Sequence, residues 1–412
     1  MDTAYFEIPT DTKKKSPRGS SPILVDNLIE QFKGATEIKI SFFLYNNPYI
    51  HSKLEKMADE YGCRILIYTI PLDGYDKRKK AITLSNGKTS MISKYDYALK
   101  IKDRIKHPIE LRYVPHTNVW YEQKTSRGAD SYALHNKSIL IKYGDNSYKC
   151  ISTSSNFALG DPPHSENVYI TDNKADINMF NTYFELLHNH SFSLEEYQEF
   201  RLQKYDFEYI TQPTNIQDTF NTCYFTAPFI KYNGTGSNHY VQDKIIDFIK
   251  NPKERLYFCF QHISDINSFD RKAKNIVESI GEIAKSKSNV DIKLLKQTRA
   301  NNQKQGSRTT QAENYLKQFN NIKQMALFPI VHDKFIIVDN NLLVTTANLT
   351  STQFAWAENY NMKYYISEED KRYIIPNTFS DINSFHFVYD NQLLVNDYLN
   401  HFNNLWNISH TV

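Results

Sequence analysis

The sequence predicts an α/β protein built from two similar lobes related by an internal pseudo-twofold axis. Three observations carry this prediction: the length, a strand–helix–strand pattern that occurs twice, and a polar motif that occurs once in each half. The chain has 412 residues, of which 40% are apolar, so it can form a large packed core and is not disordered. No stretch approaches the roughly 20 uninterrupted apolar residues that a membrane-spanning helix requires.

Residues 1–22 are polar and contain the run Lys-Lys-Lys-Ser-Pro-Arg-Gly-Ser-Ser-Pro, which predicts a flexible leader. They lack the apolar segment of a secretory signal, so a cytoplasmic or other intracellular location is expected. The cysteines are far apart in the chain and form no Cys-x-x-Cys pair, which argues against a zinc site and against a disulfide framework.

The first strand–helix–strand unit follows this leader. Residues 37–45 alternate and then run apolar, as a mostly buried strand does. Apolar residues recur at helical spacing over 47–61, and residues 62–70 form a second apolar run. Strand, helix and strand joined by short turns make the βαβ unit of a parallel or mixed sheet.

The second half repeats the pattern with a strand over 255–263, a helix over 270–286 and a strand over 290–295. A repeat of this length predicts two similar lobes and not a solenoid of short units. The segment between the two halves is polar and irregular, so the lobes are predicted to span 23–205 and 206–412.

Each predicted lobe carries a His-x-Lys motif followed by an apolar strand, Ser/Thr-Ser/Thr-x-Asn and Glu-Asn. The first copy comprises His135, Lys137, Ser154, Asn156 and Glu166, and the second comprises His332, Lys334, Thr346, Asn348 and Glu358. The His-to-Asn spacing is 21 residues in the first copy and 16 in the second, which fits a longer hairpin in the first.

The spacing within each motif has a geometric reason. Residues i and i+2 of a strand point to the same face, so the His and Lys of one motif project together, and an Asn from the neighbouring strand can reach them. A pseudo-twofold axis would bring two His, two Lys and two Asn around one cavity. This set suits a phosphodiester, because Lys and Asn donate to its oxygens while one imidazole attacks phosphorus and the other protonates the leaving oxygen.

A structural interpretation stands beside this functional one. An isolated His-x-Lys is common, and a Ser/Thr-rich turn followed by Asn is usually only a hydrogen-bonded turn. Two copies in the same order within duplicated halves favour the functional interpretation.

The paired motifs resemble the signature of the phospholipase D superfamily, His-x-Lys-x4-Asp followed by Gly/Ser-Ser/Thr-x-Asn and Glu. The second copy includes the Asp of this signature, Asp339, whereas the first has Lys142 at that position. The resemblance implies two α-β-α sandwich lobes, a phosphotransfer that needs no metal or other cofactor, and a covalent phosphohistidine.

The resemblance also implies a role for each motif residue. By the usual order of the family, His135 is the nucleophile and His332 the general acid, although Lys142 in place of Asp could reverse these roles. The remaining catalytic set comprises a clamp on the phosphoryl oxygens (Lys137, Lys334, Asn156, Asn348), two residues that orient the imidazoles (Glu166, Glu358), and Asp339.

Within the superfamily, Lys142 and the stretch Thr345-Thr-Ala-Asn-Leu-Thr-Ser-Thr-Gln-Phe-Ala-Trp356 resemble tyrosyl-DNA phosphodiesterases, while Asp339 and the Glu-Asn pairs resemble bacterial nucleases. This combination favours nucleic acid as the substrate, with DNA favoured over RNA. Two alternatives stay open: a phospholipase D or transphosphatidylase that acts on phospholipids, and a noncatalytic nucleic-acid-binding scaffold. No membrane partner is expected, and a monomer is sufficient because one chain carries both motifs.

The charge distribution supports this preference for nucleic acid. Residues 77–106 contain ten basic residues against two acidic ones, and residues 293–308 contain five basic residues and no acidic one. Such runs are solvated surface or a rim that follows a polyanion. The predicted substrate-binding residues are Lys77, Arg78, Lys79, Lys80, Arg299, Lys304 and Arg308, with Ser154 and Thr346 beside the motifs and Phe354 and Trp356 as base-stacking candidates.

Overall fold

The fold is taken from a computed structural model of the whole chain. It describes residues 2–8, 21–43, 45, 47–69, 80–83, 89–92, 109–114, 134–157, 164–193, 196, 210–212, 220–227, 229–266, 274–297, 308–327, 331–354, 363–365, 372–374 and 381–411. No helix within these ranges is both long enough and apolar enough to cross a membrane.

The first lobe contains a mixed sheet flanked by helices. The strands of this lobe are β1 (Thr3–Glu7), β2 (Ala35–Phe42), β3 (Arg64–Thr69), β4 (Lys80–Thr83), β5 (Thr89–Ile92), β6 (Ile109–Tyr113), β7 (Lys137–Tyr143), β8 (Tyr148–Thr153) and β9 (Glu166–Thr171). Strands β4 and β5 form a separate hairpin. Its helices are α1 (Pro22–Gln31), α2 (Pro48–Tyr61) and α3 (Lys174–Asn189).

The second lobe repeats this arrangement. Its strands are β10 (Ile210–Gln212), β11 (Thr222–Thr226), β12 (Ile230–Tyr232), β13 (Thr235–Gly236), β14 (Arg255–Phe260), β15 (Ile263–Ser264), β16 (Asp291–Gln297), β17 (Ile322–Leu327), β18 (Lys334–Val338), β19 (Asn341–Thr345), β20 (Leu349–Thr350), β21 (Lys363–Tyr365), β22 (Arg372–Ile374), β23 (Asn383–Val388) and β24 (His410–Thr411). Its helices are α4 (Ser237–Ile249), α5 (Ile276–Ser286), α6 (Arg308–Leu316), α7 (Ser351–Phe354) and α8 (Gln392–Asn407).

The two main sheets have matching strand orders, which confirms the predicted two-lobe α/β fold. The first sheet runs β1-β9-β8-β7-β2-β3-β6, and the second runs β11-β23-β19-β18-β14-β16-β17-β24. The predicted βαβ units are β2-α2-β3 and β14-α5-β16, and the strands of each unit pair in parallel. Four residues separate β7 from β8 but only two separate β18 from β19, as the motif spacing predicted.

Apolar packing holds the two lobes together. One core lies under α1 and α2, another lies under α8, and the largest includes α3 together with strands of both lobes. At this interface Tyr183 of α3 stacks on Phe225 of β11 with ring centroids 4.0 Å apart. The lobes therefore form one body around a shared interior.

The prediction of a flexible leader is wrong for the part of residues 1–22 that the structure describes. Strand β1 pairs antiparallel with β9 over its whole length, from Thr3 opposite Ile170 to Glu7 opposite Glu166. The Glu7 carboxylate also accepts hydrogen bonds from the backbone N–H groups of Ile23 and Leu24 at the start of α1. Sequence reasoning missed β1 because its partner strand lies far along the chain, whereas propensity reports only local preference.

Candidate active site

The two motifs meet at the lobe interface because each motif strand begins beside a strand of the other lobe. Leu134, just before the first motif histidine, forms a parallel bridge with Ile382. Val331, just before the second, forms a parallel bridge with Ser165. These bridges place the start of β7 beside β23 and the start of β18 beside β9.

His332 is buried and contacts a carboxylate of the opposite lobe. Its Nδ1 lies 3.0 and 2.9 Å from the two oxygens of Glu166, which is itself fully buried. Burial lowers the pKa of His332 to about 3, in spite of the neighbouring carboxylate. Burial alone would raise the pKa of Glu166, but electrostatic attraction and hydrogen bonds from the His332 and His164 imidazoles hold it well below its ordinary value. Glu166 is therefore an ionised acceptor for the Nδ1–H of His332.

His135 occupies the matching position on the first motif but contacts a carboxamide. Its Nδ1 lies 3.0 Å from Oδ1 of Asn383, the first residue of β23. Burial and the positive charges of Lys137 and Lys334 lower the pKa of His135 well below its ordinary value, and His332 contributes in the same direction. Because Lys334 and His332 belong to the second motif, both motifs act on one electrostatic environment.

The two motif lysines are arranged alike. Each is fully buried, and each Nζ donates a 2.7 Å hydrogen bond to the backbone carbonyl of its own motif histidine, Lys137 to His135 and Lys334 to His332. Burial lowers the pKa of Lys334 to about 8. The motifs thus place two ammonium groups beside two imidazoles, as the i, i+2 spacing predicted.

The two motif asparagines carry buried polar atoms that no described residue satisfies. Oδ1 of Asn156 and Oδ1 of Asn348 have no hydrogen-bond partner in the described part of the chain. A 180° rotation of either amide would exchange this oxygen for an N–H donor. Buried polar groups in native proteins are normally satisfied, so this pair is suited to a ligand.

Ser154 and Thr346 lie behind the site and not on its surface, which corrects their prediction as substrate-binding residues. Both side chains are buried. The Ser154 hydroxyl donates a 2.5 Å hydrogen bond to Glu166, and the Thr346 hydroxyl donates to Asn383 over 3.2 Å. Their role in the structure is to hold the residues that contact the two histidines.

Phe354 is also not a base-stacking residue. It is fully buried, and its ring lies 6.2 Å from that of Phe385 inside the core. Trp356 and Glu358 lie outside the described residues.

The residue that sequence reasoning missed is Asn383. Glu358 was expected to orient a histidine, but the first residue of β23 occupies the position that Glu166 holds on β9. The register of β23 beside β19 and β11 brings Asn383 there. A motif search for an acid could not find it, because the group is an amide.

Asp339 lies at the far end of its strand and not in the site, which corrects its prediction as catalytic. Its carboxylate accepts hydrogen bonds of 2.8, 2.8 and 3.0 Å from the backbone N–H groups of Lys253, Glu254 and Arg255. It fixes the turn that leads into β14. Lys142 sits near the corresponding end of β7, where its Nζ lies 5.9 Å from the ring centre of Tyr148. The exchange of Asp for Lys therefore lies away from the motif histidines.

Asp339→Ala is accordingly expected to lower the free energy of unfolding by about 1–3 kcal/mol, because the exposed N–H groups of Lys253 and Glu254 and the half-buried N–H of Arg255 lose a charged acceptor. Urea unfolding measures this loss, and kcat per folded molecule should stay within about twofold. Asp390→Ala is a matched control, because Asp339 and Asp390 both have left-handed backbones with φ of 53° and 52°. Equal losses in the two variants would contradict the assigned role, since only backbone strain would then be measured.

The second basic run does not form the predicted positive rim as a whole. Lys296 is buried, and its Nζ lies 2.7 Å from Glu313. Lys293 pairs with Asp291 over 2.9 Å. Most of the predicted substrate-binding cations, namely Lys77, Arg78, Lys79, Arg299 and Lys304, lie outside the described residues, whereas Lys80 begins β4 and Arg308 begins α6.

Two groups of described residues could hold a metal ion by proximity. One belongs to the site and comprises His164, Glu166 and His332, and the other comprises Asp176, Cys223 and His386 at the lobe interface. In each group the ligand atoms lie within 4.8 Å of one another. In the first group, however, Glu166 already accepts from Nδ1 of His332, so that nitrogen serves the hydrogen bond and leaves Nε2 for a substrate.

Known proteins share this fold. Residues 245–382 match the family model described as "Cardiolipin synthase, PLD-like domain". Phosphatidylserine synthase from Haemophilus influenzae is similar with a TM-score of 0.58 at 11% identity, over 94% of this chain and 84% of that chain. Yeast tyrosyl-DNA phosphodiesterase gives a TM-score of 0.47 at 9% identity, over 88% of this chain and 85% of that chain.

Polyphosphate kinase from Porphyromonas gingivalis gives a TM-score of 0.48 at 12% identity over 95% of this chain, which spans only 48% of that chain. No curated protein matches the sequence. The likeness to the phosphatidylserine synthase confirms the predicted two-lobe α/β fold. The comparisons leave nucleic-acid and lipid substrates open.

Proposed function

We propose that this chain, which has the fold and a PLD-like domain of the phospholipase D superfamily, is a metal-independent phosphodiesterase that cleaves nucleic acid through a covalent phosphohistidine. The observation that carries the chemistry is the convergence of His135 and His332 on one site, each with its Nδ1 held by a residue of the opposite lobe. This leaves both Nε2 atoms for a substrate.

The clamp residues supply what such a reaction requires. A phosphodiester is an anion, and its transition state places more charge on the nonbridging oxygens. The ammonium groups of Lys137 and Lys334 are the donors proposed for these oxygens. Asn156 and Asn348 would add an N–H each once their amides rotate by 180°, because the atoms that lack a partner among the described residues are the two Oδ1 acceptors. Because each lysine Nζ is held by the backbone carbonyl of its motif histidine before substrate arrives, these two donors need little reorganisation.

Support for nucleic acid comes from the sequence. Residues 77–106 contain ten basic residues against two acidic ones, and this run precedes the first motif directly. The second run gives less support than expected, since Lys293 and Lys296 are already paired with carboxylates. The proposal for the substrate therefore depends mainly on the first run.

A lipid substrate is the second candidate, and two observations favour it. The family model that matches part of the second lobe is named for a cardiolipin synthase, and a structure that matches with a TM-score of 0.58 is a phosphatidylserine synthase. In this case the same imidazole and lysine set would transfer a phosphatidyl group.

A panel of substrates separates these candidates. Purified protein is incubated with labelled single- and double-stranded DNA and RNA, with a 3′-phosphotyrosyl oligonucleotide, and with phosphatidylglycerol vesicles, each with and without EDTA. We expect cleavage of an oligonucleotide that is unaffected by EDTA. Turnover of vesicles alone would replace nucleic acid by lipid, and loss of all turnover with EDTA would overturn the metal-independent mechanism.

Salt dependence tests the role of the first basic run. Neutralising Lys77, Arg78, Lys79 and Lys80 together to Gln should reduce the slope of log affinity against log salt by roughly 0.7–0.9 for each phosphate that these cations neutralise in the wild type. Cleavage of a short, saturating oligonucleotide should persist, because the clamp residues are elsewhere. Neutralising the exposed pair-forming cations Lys56 and Lys274 is the control. An unchanged slope in the first variant would mean that this run is ordinary solvated surface.

A further inference from the structure

Each motif histidine is held by a similar set of hydrogen-bonded residues. The two sets differ in the group that contacts the imidazole. Behind Glu166, the Ser154 hydroxyl accepts from the N–H of Asn167 and donates to the carboxylate. Behind Asn383, the Thr346 hydroxyl accepts from the N–H of Ser384 and is directed to the amide oxygen. The imidazole of His332 therefore contacts a carboxylate, whereas that of His135 contacts a neutral carboxamide.

A chain of hydrogen bonds fixes the orientation of the carboxamide. The Asp381 carboxylate can only accept, so the amide N–H of Gln353 points to it over 2.5 Å. The oxygen of Gln353 then faces Nδ2 of Asn383 at 2.9 Å. This leaves Oδ1 of Asn383 to face Nδ1 of His135. His135 consequently carries a proton on Nδ1 and directs Nε2 toward the site.

The two acceptors suit opposite steps of phosphoryl transfer. A nucleophilic imidazole becomes positively charged when its Nε2 bonds to phosphorus, and a carboxylate at Nδ1 stabilises that charge. A general acid loses positive charge when it gives up its proton. A carboxylate partner would stabilise the protonated imidazole and oppose the loss of its proton. A neutral amide orients the ring without this electrostatic stabilisation.

Resting on the proposed function, we propose that Glu166 makes His332 the nucleophile and Asn383 makes His135 the general acid. This is the reverse of the order expected from the sequence. Glu166 and Asn383 are positioning residues in this assignment, because each acts through an imidazole.

The reaction then follows in two balanced steps. Nε2 of His332 bonds to phosphorus while the bond from phosphorus to the leaving oxygen breaks, and that oxygen takes the proton from Nε2 of His135. A water molecule next attacks phosphorus, gives its proton to Nε2 of His135, and the nitrogen–phosphorus bond to His332 breaks. Both histidines return to their starting states.

The protonation of His135 depends on the substrate. In the unliganded protein, burial and the nearby Lys137 and Lys334 lower its pKa. A bound phosphodiester anion between the imidazoles counters these cations and raises the pKa of His135 in the complex. His135, the general acid, is thus protonated and positively charged when substrate is bound.

A leaving-group experiment tests the assignment. The substrates are a p-nitrophenyl phosphodiester of a nucleotide, whose leaving group needs no proton, and the matching alkyl ester. His135→Ala should release a burst of about one equivalent of p-nitrophenolate and then stall, with the nucleotidyl adduct on His332 in peptide mass spectra. His332→Ala should give neither burst nor adduct.

The outcomes separate this inference from the proposed function. A burst in His332→Ala with the adduct on His135 would overturn the assignment while leaving the phosphodiesterase intact. Turnover by the wild type without an adduct in either variant would also overturn it. If the wild type cleaves no phosphodiester of the nucleotide or lipid panel, the proposed function itself fails.

A pH profile tests the positioning roles independently of folding. Asn383→Asp places a carboxylate at His135, so the alkaline limb of kcat for the alkyl ester should move to higher pH by about one to three units. Glu166→Gln should slow the burst with p-nitrophenyl ester by roughly tenfold or more and leave that limb in place. An unmoved limb in Asn383→Asp would show that Asn383 has only a structural role, which contradicts the inference.

Discussion

His332→Ala is expected to lower kcat for phosphodiester cleavage by roughly 10⁴-fold or more. The substitution removes Nε2, the atom proposed to bond to phosphorus, and leaves the buried Glu166 without its imidazole partner. Affinity for the substrate should change little, because Lys137, Lys334 and the motif amides still bind its oxygens. Single-turnover rates at saturating substrate measure the chemical step, and a titration of the inactive variant measures affinity.

The control for this result is another buried histidine. His51 on α2 is 4% exposed and contacts the hydroxyl of Tyr45 at 2.6 Å, away from the two motifs. His51→Ala should lose stability and keep kcat within a few fold when it is folded. A His332→Ala variant that is folded and retains a tenth of the wild-type kcat would contradict its place in the reaction.

Lys296→Met is expected to lower the free energy of unfolding by about 3–5 kcal/mol. Both partners of the Lys296–Glu313 pair are almost fully buried, and Nζ also donates to Gln324 over 3.1 Å. The substitution removes the ammonium group that lies beside the buried carboxylate of Glu313. Urea unfolding, analysed as a two-state transition, gives the difference.

The double variant Lys296→Met/Glu313→Leu is the matched control. It removes both charges from the interior, so most of the missing stability should return. Its oligonucleotide affinity should equal that of the wild type, because this lysine belongs to the fold. A Lys296→Met variant that is as stable as the wild type would contradict this role in the fold. Weakened salt-dependent binding with intact stability would instead support the predicted place of Lys296 on the positive rim.

The fold and the motif set could be predicted because their signals are local. Alternating strands, the helical spacing over 47–61 and the i, i+2 placement of His135 and Lys137 each depend on near neighbours in the chain. The repetition of one ordered pattern then implied a shared cavity. These predictions needed no knowledge of which strands pair.

The residues that sequence reasoning misassigned depend on long-range packing. Asp339 follows its motif lysine by five residues, so an extended strand carries it roughly 16 Å away, where it binds the turn before β14. Phe354 is close in sequence to Asn348 but is buried against Phe385. Neither the neighbour of a side chain nor its burial can be read from spacing alone.

Asn383 illustrates the same limit at the site. The Glu-Asn pair at 358 repeats the pattern at 166, which made Glu358 the natural choice for the second acceptor. The position beside His135 is instead set by the register of β23 and by the bridge from Leu134 to Ile382. A signal was present, because β23 has the apolar alternation of a central strand, but no local rule links it to the motif.

The central claim is that His135 and His332 share one phosphodiester site, and a crystal structure with orthovanadate tests it most directly. Vanadate adopts the five-coordinate geometry of phosphoryl transfer. We expect one vanadate bonded to Nε2 of His332, with Nε2 of His135 on the opposite side and Lys137 and Lys334 at its oxygens. Two anions bound separately in the two lobes, or one bound away from both histidines, would contradict the claim.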